Sequence, residues 1–169
     1  EVAGGIRGDK ELKAWVPGGA SAPWFVPDEH LDLPTTKDET GKQGSMLGSG
    51  AVIVMDGDTD MVAAAERLVR FFAEESCGQC TPCREGTTWL DLILQRVLHG
   101  GGREADIDLL MDVSDNISVG LGWPPKQTTI CPLGPSAVSA TLSLVKHFRH
   151  EVEEHISRGT PVTIQGVSA

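Results

Sequence analysis

The chain has 169 residues, 40% of them hydrophobic, which suits one ordinary domain or two small ones with a packed core. Its formal net charge is -10, from 24 acidic and 14 basic residues. An acidic surface repels phosphate backbones and anionic lipids, which argues against nucleic-acid binding and direct membrane binding. No apolar run reaches the roughly 18 to 20 residues that span a bilayer, and no signal peptide is visible. We expect a location in the cytosol or inside an organelle, without membrane insertion.

The first third of the chain is predicted to form short extended pieces joined by loops. Leu12 to Val16 has the pattern of a strand that ends at a Pro-Gly-Gly turn. The β-branched run from Ala51 to Met55 predicts a second strand, which we expect to be buried. The polar stretch from Thr35 to Gln43 is predicted to be a surface loop.

From Thr59 onward the pattern becomes helical. Thr59 or Asp60 is placed to cap a first helix that ends near Glu75. Three further helices are predicted at about Thr88 to His99, Ala105 to Ile117 and Pro135 to His155. The second of the four helices carries Trp89, Leu92, Ile93 and Val97 on one apolar face. Four amphipathic helices with short or moderate connections are expected to form a helical bundle.

Four cysteines carry the strongest chemical signal in the chain. Cys77, Cys80 and Cys83 follow one another at intervals of three, and Cys131 lies far along the chain before a proline. A [4Fe-4S] cluster needs one thiolate at each of four corners. Three closely spaced cysteines on a curling loop reach three corners, and a distant segment must supply the fourth. The spacing therefore favours one [4Fe-4S] cluster that relays single electrons.

Other interpretations of the four cysteines stay open at this point. A structural zinc site would make the chain an interaction module without a redox role, although such sites usually combine two separate pairs of cysteines. A thiol redox switch would bind no metal. Disulfide stapling fits less well, because the chain has no secretory signal and is large enough to bury a core.

Groups around the cysteines are expected to influence a bound cluster. Arg84 follows the third cysteine and is a candidate for raising the reduction potential, with an ion pair to Glu75 or Glu85 as the alternative. Backbone amides are expected to point at sulfur from Gly78, Gln79 and Thr81. Trp89 and Trp123 are candidates for shielding the cluster from water.

Two further patterns have simple structural interpretations. The glycine-rich stretch from Gly44 to Gly50 lacks the ending of a phosphate-binding loop, so it predicts a turn into the following strand. The acidic residues Glu151, Glu153 and Glu154 are predicted to form a solvated helix face. The five histidines show no spacing that requires a second metal site.

The amino-acid sequence around the cysteines resembles that of a known protein family. The stretch FFAEESCGQCTPCREG, from Phe71 to Gly86, is similar to the cluster motif of the flavin-carrying, NADH-oxidising subunit of respiratory complex I. Further stretches match the family in order: VPGGAS from Val16, GSMLGSG from Gly44 and KHFR from Lys146. The resemblance covers nearly the whole chain. Related flavin subunits of NAD-reducing hydrogenases and NAD-dependent formate dehydrogenases are similar as well.

The resemblance implies an α+β fold in two parts. Residues 1–57 would be a partial β-grasp (ubiquitin-like, SLBB-like) module, residues 58–158 a four-helix bundle carrying the cluster, and residues 159–169 a tail. In the family, FMN takes hydride from NADH and returns single electrons to this cluster, which passes them to the next iron-sulfur subunit. The resemblance makes Cys77, Cys80, Cys83 and Cys131 the four ligands.

Two departures from the family matter. The large N-terminal domain with the FMN and NADH loops is absent, so this segment alone is not expected to bind or oxidise NADH. The chain also begins at Glu1 rather than Met, so we expect a processed chain or a fragment. The second departure is the stretch 118–127, which is longer than in related subunits and predicts an extra surface loop. The implied partners are other iron-sulfur subunits, in a peripheral arm on the cytoplasmic side of a respiratory complex.

Overall fold

A computed structural model describes residues 4–120 and 126–159. Within these ranges the chain combines six helices with two small two-stranded sheets. The mixed fold agrees with the α+β class. Most of the predicted tail and the centre of the predicted 118–127 loop, with Trp123, lie outside the described residues.

The first sheet joins the two predicted strands. Strand β1 (Leu12–Val16) runs antiparallel to a later strand, with an irregularity in register after Leu12. Between them lie two short helices, α1 (Pro27–His30) and α2 (Lys37–Lys42). The partner strand of β1 is β2 (Ile53–Asp56), which starts later than the run of β-branched residues suggested.

Two expectations for this part of the chain are wrong. Val54 of β2 is 55% exposed and Val52, just before the strand, is 53% exposed, so this segment is not a buried strand. A two-stranded antiparallel sheet can leave one face in water, which the run of apolar residues does not reveal. The predicted surface loop contains α2, whose first turn is capped by the Thr36 side chain accepting from the backbone N–H of Glu39. A helix this short shows no apolar periodicity.

The glycine-rich stretch forms the turn that was predicted. Gly48 has φ +50°, and a Cβ there would lie 2.3 Å from the carbonyl oxygen of Gly18. A Cβ on Gly18 would in turn lie 2.3 Å from the carbonyl oxygen of Met46. The two turns therefore approach backbone to backbone, which only glycine allows.

Four longer helices form the rest of the structure. They are α3 (Met61–Glu74), α4 (Thr81–Leu98), α5 (Ala105–Ile117) and α6 (Leu133–Arg158). The Asp60 side chain accepts from the N–H groups of Val62 and Ala63, as a helix cap does, and confirms that prediction. Helices α4 and α6 each pack against the other three.

Helix α4 begins earlier than the sequence pattern suggested. It starts at Thr81 instead of about Thr88, so Cys83 lies in its first turn rather than in a loop. Pro82 is compatible with this position, because the N–H groups of a first helical turn have no partner within the helix. The close spacing of the cysteines predicted an irregular segment, whereas the structure has a helical turn at Cys83.

Three helices meet at the Ile117 side chain, which lies close to the backbone of two glycines. A Cβ on Gly86 of α4 would lie 2.7 Å from the Ile117 side chain at the end of α5. A Cβ on Gly134, at the start of α6, would lie 3.0 Å from the same side chain and 2.6 Å from Thr129. Ile117 is fully buried. These contacts place the start of α4 beside the start of α6.

A small hairpin follows α5 directly. Strand β3 (Ser118–Val119) pairs antiparallel with β4 (Lys126–Gln127). The Thr128 hydroxyl then donates to the carbonyl of Ile117 at 2.6 Å. The hairpin therefore returns the chain to the end of α5, just before the fourth cysteine.

Some helix faces differ from the prediction. Trp89 and Leu92 are 55% and 54% exposed, so they do not share the buried face of α4 with Ile93 and Val97. Glu151 is largely buried and pairs with Lys13 at 2.7 Å, so it does not belong to a solvated face. None of the helices in residues 4–120 and 126–159 has the length and apolar character needed to cross a bilayer.

Candidate metal centre

All four cysteines lie around one cavity, which we call the cysteine cavity. Its volume is about 130 Å³. It is lined by Ser76, Cys77, Gln79, Cys80, Cys83, Ile130, Cys131 and Leu133. The two segments that carry cysteines, remote in sequence, are therefore adjacent in space. All four cysteines are free thiols.

The three clustered cysteines occupy the junction between α3 and α4. Cys80 is the residue that precedes α4, and its carbonyl accepts from the N–H of Arg84 at 3.0 Å. Gly78 has φ +74°, a left-handed conformation that lets the chain turn between the helices. The first turn of α4 has N–H groups without partners inside the helix, and the helix dipole is positive there. Both features favour thiolates at this position.

The fourth cysteine is held by the segment before α6. The Thr129 hydroxyl donates to the carbonyl of Cys131 at 2.7 Å, and Thr129 is itself 6% exposed. Pro132 follows and precedes the first helical residue, Leu133. This anchoring fixes the backbone of Cys131, while its side chain lines the cysteine cavity and remains exposed.

The four thiols differ in their access to water. Cys77 and Cys131 are exposed, Cys80 is intermediate and Cys83 is buried. Burial raises the pKa of the Cys83 thiol, and a hydrogen bond with Ser76 acts in the opposite direction. Without a bound metal, burial therefore favours the protonated form of Cys83. Metal binding must displace its proton.

Ser76 is a contact that the sequence reasoning missed. Its Oγ lies 3.3 Å from Cys83 Sγ and also accepts from the backbone N–H of Gly78 at 3.4 Å. The predicted direction of the Gly78 amide toward sulfur is therefore wrong, since its partner is a serine oxygen. A serine two residues before a glycine turn is a known local hydrogen-bonding pattern, and it was the available signal.

Arg84 forms the ion pair with Glu85 that was the alternative to a role in tuning the cluster. Its guanidinium donates to Glu85 at 2.8 Å and to the carbonyl of Gly78 at 2.9 Å. These bonds tie the turn to the first turn of α4. Any effect of Arg84 on a cluster would therefore act through its charge and through the position of this turn.

The cysteine cavity is compatible with a [4Fe-4S] group. Four thiols are the donor set that such a group requires, and they come from two segments around a shared space. The lining also includes the apolar side chains of Ile130 and Leu133. In the described part of the chain, no three His, Cys, Asp or Glu side chains form a group that could hold a single metal ion.

The fold and the cavity define a small, largely helical module in which four cysteines line one cavity. A family model, the iron-sulfur binding region of NADH-ubiquinone oxidoreductase F, matches residues 63–155. The match covers more than half of the chain and includes all four cysteines. The chain belongs to this family.

Curated relatives support the same assignment over nearly the whole chain. The F subunit of NADH-quinone oxidoreductase of Mycobacterium tuberculosis is 46% identical over 159 residues, which are 94% of this chain and 34% of the relative. The protein of the same name in Streptomyces coelicolor is 45% identical over 162 residues, 95% of this chain and 34% of the relative. The chain thus spans about a third of the length of these relatives.

A solved structure shares the fold at lower identity. It is an NAD+-reducing [NiFe]-hydrogenase in the H2-reduced state, with a TM-score of 0.76 and 27% identity. The match covers 92% of this chain and 25% of the hydrogenase chain.

Proposed function

We propose that this chain is a one-electron relay that holds a single [4Fe-4S] cluster through Cys77, Cys80, Cys83 and Cys131. In a complete NADH-quinone oxidoreductase it would accept electrons from FMN reduced by NADH and pass them to the next iron-sulfur subunit. The observation that carries the proposal is the meeting of four thiols around the cysteine cavity, in a chain of an iron-sulfur binding family.

The residues of the cavity suit a relay in three ways. The thiols supply ligands, and the start of α4 presents unpaired N–H groups and a positive dipole end to them. Leu133 contributes an apolar wall that reduces contact with water. Cys77 and Cys131 lie at the exposed rim, where an electron donor or acceptor can approach closely. A bound cluster supplies reversible one-electron chemistry.

The same proposal covers the domain organisation. Residues 58–158 would form the cluster-bearing four-helix bundle, supported by the mutual packing of α3, α4, α5 and α6. Residues 1–57 would be a partial β-grasp module, of which β1 and β2 are the paired strands. The two parts share a core, since Trp24 packs near Phe148 and its backbone N–H donates to Ser143 of α6 at 2.9 Å. Residues 159–169 would be a tail.

In this proposal FMN and NADH bind through a domain that this segment does not contain. The relevant partners are other iron-sulfur subunits, and the location is the peripheral arm of a respiratory complex on its cytoplasmic side. We expect NADH to leave the cluster of the isolated chain oxidised, whereas dithionite reduces it.

A second candidate is the equivalent flavin subunit of an NAD-reducing hydrogenase, which the similarity of fold to the hydrogenase structure favours. The 46% identity to a quinone oxidoreductase relative, against 27% to the hydrogenase, supports the first candidate. A formate dehydrogenase subunit and a zinc-stabilised interaction module are the remaining alternatives.

The test is to purify the chain without oxygen, reconstitute it with iron and sulfide, and record its visible spectrum. A brown protein with about four irons and four sulfides, and an EPR signal on reduction, is the expected result. A colourless protein that binds one zinc and takes up no iron under reconstitution would contradict the relay and support the zinc module.

A further inference from the structure

The buried cysteine of the cavity has a side-chain partner at the junction between α3 and α4. Ser76 follows the end of α3, and its Oγ lies 3.3 Å from Sγ of Cys83 in the first turn of α4. Cys83 is 6% exposed. Cys77 and Cys131 are exposed, so water can donate hydrogen bonds to their sulfurs. At the buried Cys83, the Ser76 hydroxyl is the group placed to make the hydrogen bond that water makes to the exposed sulfurs.

The direction of the Ser76–Cys83 hydrogen bond follows from the chemistry of a ligand. A cysteine that binds iron is a thiolate and carries no hydrogen. The serine hydroxyl must therefore be the donor and the sulfur the acceptor.

The surrounding turn supports this direction. The N–H of Gly78 donates to Ser76 Oγ at 3.4 Å, which occupies an acceptor site of the hydroxyl and leaves its hydrogen free. The carbonyl of Gly78 is held by the guanidinium of Arg84 at 2.9 Å. Arg84, Gly78 and Ser76 thus form a chain of hydrogen bonds that ends at the sulfur.

We propose that Ser76 is a positioning residue that raises the reduction potential of the site by donating a hydrogen bond to the Cys83 thiolate. The inference rests on the proposed function, because it requires a cluster bound by Cys83. Reduction adds one electron and no proton, so the ligated site gains one negative charge. A donor to sulfur stabilises the more negative state more strongly, and the potential rises.

The central experiment compares wild type with Ser76→Ala in the reconstituted chain. The midpoint potential is measured by redox titration with dithionite, followed by EPR. We expect Ser76→Ala to lower the equilibrium constant for reduction about tenfold, which is about 59 mV for one electron. Iron and sulfide contents should stay at the wild-type values.

Two controls separate the hydrogen bond from other effects. Ser157→Ala removes a serine hydroxyl at the opposite end of α6 from the cysteine cavity, so the potential should stay at the wild-type value. Ser76→Thr and Ser76→Val have nearly the same shape and differ by the hydroxyl. The threonine variant should keep a potential near wild type, and the valine variant should fall with the alanine variant.

The outcomes distinguish this inference from the proposed function. A wild-type chain that takes up no cluster would contradict the proposed function itself. A full cluster with an unchanged potential in both Ser76→Ala and Ser76→Val would overturn the role of Ser76 alone. Loss of the cluster from both of these variants would also overturn it, because the hydroxyl would then be needed for assembly and not for tuning the potential.

Discussion

The two ends of the long helices are held together by different means. At one end, which we call the ionic end, side chains of the protein itself join different segments: Lys13 pairs with Glu151, His155 hydrogen-bonds to Asp60, and Arg96 of α4 pairs with Asp106 of α5. At the other end, which we call the cysteine end, the junction of α3 and α4 meets the segment before α6 around the cysteine cavity. There the remote segments present four free thiols to each other.

The difference between the two ends indicates which of them would depend on a bound metal for its stability. At the ionic end each of these carboxylates has a side-chain partner from another segment and does not need a ligand. At the cysteine end, four thiolates would repel one another unless a positively charged group lay between them. We infer that the ionic end can fold independently of metal, whereas the cysteine end becomes rigid on metal binding.

Removing the fourth thiol should have the largest effect. Cys131→Ala should abolish the fully ligated cluster, because one iron corner loses its ligand and the link between α4 and the segment before α6 is broken. Iron and sulfide counts, the visible spectrum and EPR check this. Ile130→Ala is the matched control, since Ile130 is the neighbouring residue, is 70% exposed and carries no ligand atom. An intact cluster in Cys131→Ala would refute the assignment of ligands.

The next largest effect is expected at the ionic end. Asp106 is fully buried and accepts from Arg96 Nε at 3.0 Å and from the backbone N–H of Arg103 at 2.9 Å. Asp106→Asn removes the charge and should lower the free energy of unfolding by about 2 to 3 kcal/mol. Urea unfolding measures this change. The visible spectrum should not change, because Asp106 belongs to the ionic end.

The matched control for Asp106→Asn lies on the same helix. Asp108 is exposed, so Asp108→Asn should change the free energy of unfolding by no more than about 0.5 kcal/mol. Equal effects of the two substitutions would show that the ionic end does not depend on the buried carboxylate.

Acid should weaken the ionic end through the same carboxylate. Burial acts to raise the pKa of Asp106, but hydrogen bonds from Arg96 and Arg103 outweigh it and hold the pKa below its ordinary value. The unfolded chain therefore binds a proton more readily than the folded chain. This contribution to stability is complete above the unfolded pKa of about 3.9 and is lost as the pH falls through the folded pKa.

The measurement is the free energy of unfolding of wild type and Asp106→Asn as a function of pH. The difference between them should be constant above about pH 5 and should shrink on further acidification. Loss of the cluster in acid affects both proteins and cancels in the difference. A difference that grows toward low pH would contradict the depressed pKa.

The smallest effect is expected where α6 contacts the start of α3. A Glu151 carboxylate oxygen accepts from the N–H of Met61 at 3.1 Å, and the carboxylate pairs with Lys13. Glu151→Gln keeps an acceptor but loses the charge, so we expect a loss of about 1 kcal/mol. Glu153→Gln is the control on the same helix, because Glu153 pairs with Arg149 at the surface and should contribute little. Thermal unfolding of both variants ranks the two effects.

Much of this structure was accessible from local sequence patterns. Strand β1, the Asp60 cap of α3 and the bounds of α5 follow from residue types and spacing over a few residues. The beginning of α4 was missed because the motif before it was interpreted as a loop, although Pro82 is compatible with a first helical turn. Trp89 was placed on a buried face because its neighbours are apolar, yet it is 55% exposed.

The amino-acid sequence by itself determined which thiols are available and that three of them lie close together, because their spacing is a property of a few consecutive residues. It also determined the family, through the wording of the motif. Only the tertiary structure decided that Cys131 faces the same cavity, that Ser76 contacts the buried Cys83, and that Glu151 reaches the start of α3. For Cys131 and Glu151 these contacts join segments far apart in the chain, so they depend on how the helices pack and not on local spacing.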